Sequence, residues 1–224
     1  MTGVIEGEGD GASDGPESPG SDPLADDPRV AVFFGDRYPA VAAFARLLRD
    51  LGPERGLVGP REVSRLWERH ILNSAAVVPF LPAGTVADVG SGAGLPGLVI
   101  AAMEPEREVV LIEPMERRAT WLGEASGLLG LKNVRVIRAR AEDARVVGVR
   151  AVTARAVAPL PKLLRWCAPL VGAEGEMLFL KGRSAVAEVE AARSVIARAG
   201  LHVDVMEAPT LEGLAPTTVV RLSR

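Results

Sequence analysis

From Thr85 to the end of the chain, short apolar runs with strand character alternate with helix-like segments, and this alternation restricts the fold more than any other feature. VADVG (86–90), VVLIE (109–113), VRVIRA (134–139), AVTARA (151–156) and EMLFLKG (176–182) read as strands. Helices are expected from about Ala93, after the second strand through Leu129, near Pro159–Cys167 and over Ser184–Ala199. Strands joined by helices run parallel and must be covered on both faces, which predicts an α/β fold. LHVDVMEA (201–208) and TTVVRLS (217–223) depart from the pattern, because only a loop separates them. Without a crossover helix they must pair antiparallel. The expectation is five parallel strands and a closing hairpin, with no internal repeat.

Three segments follow: an acidic tail (1–28), a helical segment (29–84) and a Rossmann-like domain (85–224). Residues 1–28 hold eight acids, six Gly, four Pro and no Lys or Arg, so they cannot offset ordering entropy by burial. A disordered tail is expected, either a neutral solvated extension or an electrostatic decoy for the basic body. YPAVAAFARLLRDL (38–51) is helical, opened by Pro39 and stopped by Gly52-Pro53. A second helix is expected from Pro60 to about Phe80, with Val63, Leu66, Trp67, Ile71, Ala75 and Val78 at helical spacing. Arg61, Arg65 and Arg69 then stack four apart opposite that face. They form either a solvated surface with a Glu62–Arg65 pair or a set of phosphate contacts. His70 falls on the apolar side and reads as a hydrogen-bonded core histidine.

All 26 Lys and Arg follow residue 28 and meet 21 acids there, so the net charge of −3 conceals a body at +5. Of these cations 23 are Arg, whose planar fork suits phosphate and base edges, so an RNA or nucleotide partner is permitted. Cys167 is the only cysteine, which excludes an intrachain disulfide and a thiolate zinc cluster. A reducing, cytoplasmic setting is expected, and the opening residues lack the basic start and apolar stretch of an export signal. The longest apolar runs are about half a bilayer span, so no membrane partner is expected. With no close carboxylate cluster and no His-x-x-x-His spacing, no metal is expected either.

Chemistry concentrates at Asp88-Val-Gly-Ser-Gly-Ala-Gly-Leu-Pro-Gly97. Gly90, Gly92 and Gly94 strip side chains from a tight turn after a buried strand, so a ligand can approach the backbone. Glu113, 19 residues after Gly94, ends the second strand, where a carboxylate accepts hydrogen bonds from vicinal ribose hydroxyls. Loop and acid together indicate an adenosine-type cofactor. Gly92-Ala-Gly-Leu-Pro-Gly97 also fits a dinucleotide pattern, but Gly90-Ser91 intervene after the strand and Pro96 enters the first helical turn. Asp88 and the antiparallel hairpin fit S-adenosylmethionine better than a nicotinamide dinucleotide.

Five segments occur in order: Arg69-His-Ile-Leu-Asn-Ser74, DVGSGAGLPG (88–97), RARAED (138–143), TARAVAPL (153–160) and FLKG (179–182). Over about residues 40–224 the chain thereby resembles the RsmG/GidB family of ribosomal RNA small-subunit methyltransferases. The resemblance implies a seven-stranded class I S-adenosylmethionine-dependent methyltransferase acting on N7 of one guanine in the decoding-region loop of 16S rRNA, naked or in the 30S subunit. It assigns Gly90 and Leu95 to the cofactor loop, Ala141 and Glu142 to the adenine, and Arg155 to the cofactor and substrate side of the fourth strand. Lys181 would face the RNA entrance, as a phosphate ligand or a solvated lysine. Position 73 departs from the family's Arg-His-Ile-x-Asp-Ser pattern, with Asn in place of Asp.

N7 carries an in-plane lone pair, so no catalytic base is required, and none is evident. Arg155 and Lys181 are the candidate catalytic residues, acting by orientation. Arg61, Arg65, Arg69, Arg135, Arg138 and Arg140 are candidate RNA contacts. A small-molecule methyltransferase on the same fold and a non-catalytic binding module are the alternatives, and a monomer is the default expectation.

Overall fold

The computed structural model describes residues 21–146 and 148–224. Seven strands form one sheet: β1 (Val86–Val89), β2 (Val109–Ile112), β3 (Val134–Ile137), β4 (Val149–Arg155), β5 (Val171–Lys181), β6 (His202–Ala208) and β7 (Thr217–Ser223). Their order is β3-β2-β1-β4-β5-β7-β6. The first five strands are parallel, and β7 lies antiparallel to both β5 and β6. The expected hairpin is therefore present, and its second strand is the one that joins the parallel sheet.

Chain order reverses at β1. The chain moves outward from β1 to β2 and β3, then returns to place β4 on the other side of β1. In open α/β sheets a crevice opens at that switch, beyond the carboxyl ends of the strands. Here those ends are the Gly90 turn and Arg155.

The central strands are buried on both faces, as their apolar content requires. Alternate residues feed opposite layers. Val109 and Leu111 pack with Phe44 and Leu48 of α2 (Tyr38–Leu51), Leu98 of α5 (Gly97–Met103) and Trp121 of α6 (Glu116–Leu128). Val110 and Ile112 pack with Leu163 and Cys167 of α7 (Leu160–Cys167) and Ile196 of α8 (Ala185–Arg198). Fully burying one such aliphatic side chain contributes about 1.5–3 kcal/mol.

Two expectations for the N-terminal part change. Residues 21–28 are packed: Leu24 is buried, and Asp22 accepts the Trp67 N–H at 2.7 Å and the Leu24 N–H at 3.0 Å. Asp27 caps α1 (Pro28–Phe34) by accepting the Arg29 N–H at 2.9 Å. Asp22 thus ties the segment to the body and Asp27 caps a helix, so the tail does not extend to residue 28. Residues 1–20, where the rest of that expectation falls, lie outside the described residues.

The helix expected over 60–80 is also broken. It comprises α3 (Pro60–Val63), a wide π turn (Trp67–Leu72), α4 (Asn73–Ala75) and a 3-10 turn (Val78–Phe80). The apolar spacing is kept, with Leu66, Trp67 and Ile71 buried. The Arg69 carbonyl inside the π turn accepts a hydrogen bond from Arg155 at 3.0 Å, so this winding answers a partner on β4 as well as its own core.

Candidate active site

The loop after β1 holds Gly90, Gly92 and Gly94 at φ of +69°, +54° and +99°. A Cβ on Gly90 would lie 2.7 Å from Val157 Cγ2, so both conformation and space demand glycine. α5 begins at Gly97 rather than near Ala93, because these turns occupy the intervening residues. Asp88, expected at the cofactor, is fully buried beneath the loop, where its Oδ2 accepts the Gly97 N–H at 3.0 Å. It supports the loop from below and lines none of the three cavities at the site. Burial pushes its carboxyl up to about 7.

Glu113 follows β2 and is also buried. Its Oε2 accepts the Gly92 N–H at 2.9 Å and its Oε1 the Met115 N–H at 2.9 Å. Each carboxylate oxygen retains a second lone pair. Trp121 Nε1 donates to the Ala93 carbonyl at 3.0 Å, so α6 fixes the loop from its other side.

Three cavities open onto this frame. The first, about 690 Å³, runs past Gly90, Glu113, Met115, Ala141, Glu142 and Trp166. The second, about 320 Å³, lies between the glycine loop and the N-terminal helices and is lined by Glu62, His70, Gly92, Leu95 and Arg155. The third, about 1130 Å³, is rimmed by Arg65, Arg69 and Arg183 and floored by Arg155, Lys181 and Thr217. Ala156 lines all three. It has φ +55°, alone among the described non-glycine residues, and strain of this kind costs about 1–3 kcal/mol and gathers at functional sites. Arg118 borders the first two cavities, and its Nε is buried with no hydrogen-bond partner among the described residues.

Arg155 ends β4 at this junction. Its Nη1 donates to the Arg69 carbonyl at 3.0 Å and to Asn73 Oδ1 at 3.4 Å, and its Nη2 to His70 Nδ1 at 2.9 Å. Burial first, and then nearby Arg155, push the His70 imidazole down to about 4. Burial likewise lowers the Arg155 guanidinium to about 10, where it stays charged at neutral pH. Lys181 is not a free cation: its Nζ donates to the Ala158 carbonyl at 2.9 Å and to Glu188 Oε2 at 2.8 Å. Glu188 Oε2 also accepts the Leu160 N–H at 3.1 Å. The pair ties the Ala158 and Leu160 backbone to β5 and α8, so the Lys181 ammonium expected to be free for substrate is already engaged.

The arginines proposed for RNA separate into groups. Arg65 and Arg69 rim the large cavity, paired to Glu68 at 3.1 Å and Glu62 at 3.8 Å. The Glu62–Arg65 pair expected from spacing is absent, because the π turn redirects Glu62 toward Arg69 and His70. Arg61 is exposed on α3. Arg135 and Arg138 lie at the far β3 edge, paired to Glu108 at 3.2 Å and Glu116 at 3.1 Å. Arg140 lines the first cavity. The six candidate contacts thus do not share one surface. Sequence reasoning missed Arg118, His70 as a partner of Arg155, Glu188 and Arg183. Only His70 carried a signal, through its place in the Arg69–Ser74 segment. Among the described residues no group of three His, Cys, Asp or Glu could hold a metal, and no helix is long and apolar enough to cross a membrane.

Sheet order, glycine loop and the acid after β2 together define a class I, Rossmann-like methyltransferase fold. Solved structures share it: a SAM dependent methyltransferase from Aquifex aeolicus superposes with a TM-score of 0.54 at 20% identity, over 71% of this chain and 93% of that one. TYW2 from M. jannaschii, in complex with AdoMet, gives 0.50 at 17% identity over 69% and 74%. The chain belongs to the GidB family, rRNA small subunit methyltransferase G, whose profile matches residues 37–211. Its relatives named ribosomal RNA small subunit methyltransferase G include those of Leifsonia xyli subsp. xyli, 52% identical over 75% of this chain and 81% of the relative, and Thermobifida fusca, 49% identical over 85% and 81%.

Proposed function

We propose that the protein transfers the methyl group of S-adenosylmethionine to N7 of one guanine in the decoding-region loop of 16S rRNA, working in the cytoplasm as a monomer. The observation that carries this reading is the meeting of three cavities at Ala156: a nucleoside-sized cleft, a smaller polar chamber and a large arginine-rimmed opening.

The residues present fit the cofactor. Gly90 brings bare backbone to the wall of the first cavity, Glu113 offers spare lone pairs to ribose hydroxyls, and Ala141 and Glu142 wall the adenine end. Arg118 brings a buried N–H without a partner to the point where the two smaller cavities join. When bound, the cofactor supplies an electrophilic methyl on a sulfonium sulfur. The chain's task is alignment, which in well-oriented systems is worth up to about 7–11 kcal/mol. No base is needed for a neutral guanine, and the geometry agrees with this, since both ring nitrogens of His70 are engaged. The guanine would enter through the large cavity from a loop whose bases can be splayed out, with Arg65, Arg69 and Arg183 toward phosphate.

The test is formation of S-adenosylhomocysteine with and without small-subunit RNA. Turnover that depends on RNA supports the reading. Turnover without RNA would move it to a small-molecule acceptor.

A further inference from the structure

We propose that His70 is a positioning residue: a neutral hydrogen-bond acceptor, held by Glu62, that fixes the Arg155 guanidinium between the small polar chamber and the large arginine-rimmed cavity. This rests on the cofactor reading above, in that Arg155 is taken to meet the bound ligand.

The chain of contacts joins three elements. Glu62 of α3 lies 3.0 Å from His70 Nε2 in the π turn, and His70 Nδ1 lies 2.9 Å from Arg155 Nη2 at the end of β4. A guanidinium only donates, so Nδ1 must be the bare nitrogen, and the proton sits on Nε2, donated to the carboxylate. Glu62 thereby selects the tautomer that can hold Arg155. Protonation would set one N–H against another. The downward shift of the imidazole, caused first by burial, keeps the ring in the form this arrangement needs.

The remaining contacts show what the device leaves free. Arg155 Nη1 is held by the Arg69 carbonyl and by Asn73 Oδ1, while Asn73 Nδ2 donates to Thr217 Oγ1 at 2.8 Å. Three of the five guanidinium N–H groups are therefore engaged, and Nε–H and one Nη2–H remain for a ligand. The Asn73 amide serves here as acceptor and donor at once. That gives a physical account of the neutral residue at a position where the family pattern has a carboxylate.

The test compares wild type with His70→Phe, which keeps a ring but no acceptor, and His70→Asn, whose side-chain oxygen falls near the Nδ1 position. Glu62→Ala, at a half-exposed site, serves if the His70→Phe chain folds poorly. Two readouts are taken: nitrogen-15 NMR of the Arg155 guanidinium in the ligand-free protein, and calorimetric titration with S-adenosylmethionine. The expected result is a fixed guanidinium in wild type and His70→Asn and a mobile one in His70→Phe and Glu62→Ala. Loss of one charge-assisted hydrogen bond should weaken cofactor affinity about tenfold in His70→Phe. In an Arg155→Ala background His70→Phe should add nothing further, as expected of a residue acting only through its neighbour. An equally ordered guanidinium in His70→Phe, or a full additional effect on top of Arg155→Ala, would overturn the proposal. A fixed guanidinium in a wild-type protein that fails to bind the cofactor would refute the cofactor reading and leave the positioning role standing.

Discussion

The Glu113 carboxylate accepts the Gly92 N–H at 2.9 Å, joining the end of β2 to the turn after β1. The same residue is therefore a clamp on the loop and a candidate ribose ligand. Glu113→Ala should weaken S-adenosylmethionine binding by about 1.5–3 kcal/mol, the range for hydrogen bonds to a charged group. Glu113→Gln should fall between, because one oxygen becomes a donor facing a backbone N–H. Unchanged affinity by calorimetry would show that the ribose is held elsewhere.

Lys181 and Glu188 should behave as one unit. Lys181→Ala leaves the Glu188 carboxylate with only the Leu160 N–H and the Ser184 hydroxyl, and Glu188→Ala leaves a mostly buried ammonium. Denaturant titrations of both single variants and the double variant should give a coupling energy of about 1–3 kcal/mol. Additive losses would mean that the tie to the Ala158 and Leu160 backbone is not cooperative.

Stability should carry the His70 titration. The ring titrates near 6.5 in the unfolded chain and is pushed down to about 4 in the fold. As pH falls through that range the unfolded chain binds a proton that the fold refuses, so stability falls; above pH 6.5 the effect vanishes. The advantage of wild type over His70→Asn should thus be largest above pH 6.5 and shrink toward pH 4, by about 3 kcal/mol at most. Asp88, raised to about 7, acts in the opposite sense but is common to both proteins and drops out. A difference independent of pH in thermal unfolding would contradict this.

RNA affinity should fall steeply with salt, by a log–log slope of about 0.7 for each phosphate neutralised on a single strand. Arg65→Ala and Arg69→Ala should each reduce that slope, because both side chains rim the large cavity and their exposed ion pairs contribute only about 0–1 kcal/mol. Arg135→Ala and Arg138→Ala, at the distant β3 edge, should leave it unchanged. The reverse ranking would relocate the RNA surface.

The sheet was legible because its determinants are local. The runs at 86–89, 109–112 and 177–180 are buried on both faces and, Asp88 apart, apolar, and the Gly90–Gly94 turn needs a backbone that only glycine adopts freely. The N-terminal part was less so. Helical spacing over 60–80 correctly marked Leu66, Trp67 and Ile71 as core, yet gave no hint of the π turn, whose Arg69 carbonyl meets Arg155, 86 residues away. Asp22 and Asp27 read as solvated charge, but Asp22 accepts from the Trp67 N–H, 45 residues along the chain, and Asp27 from the neighbouring Arg29 N–H. At the site the glycines and Glu113 were visible through spacing. For Asp88 and Lys181 the motifs marked the position but not the partners, Gly97 for the one and Ala158 and Glu188 for the other, since what they touch is decided by the packing around them. Arg118 had no sequence signal, because only the tertiary fold brings it beside Gly92.

On the proposed function, the large arginine-rimmed cavity presents an RNA guanine to the cofactor at Ala156. The most direct test is transfer of labelled methyl from S-adenosylmethionine to 30S particles and naked 16S rRNA lacking the modification, followed by digestion to nucleosides. Label is expected in 7-methylguanosine at one site. Cofactor binding with no label in RNA, or label in a different nucleoside, would contradict that function.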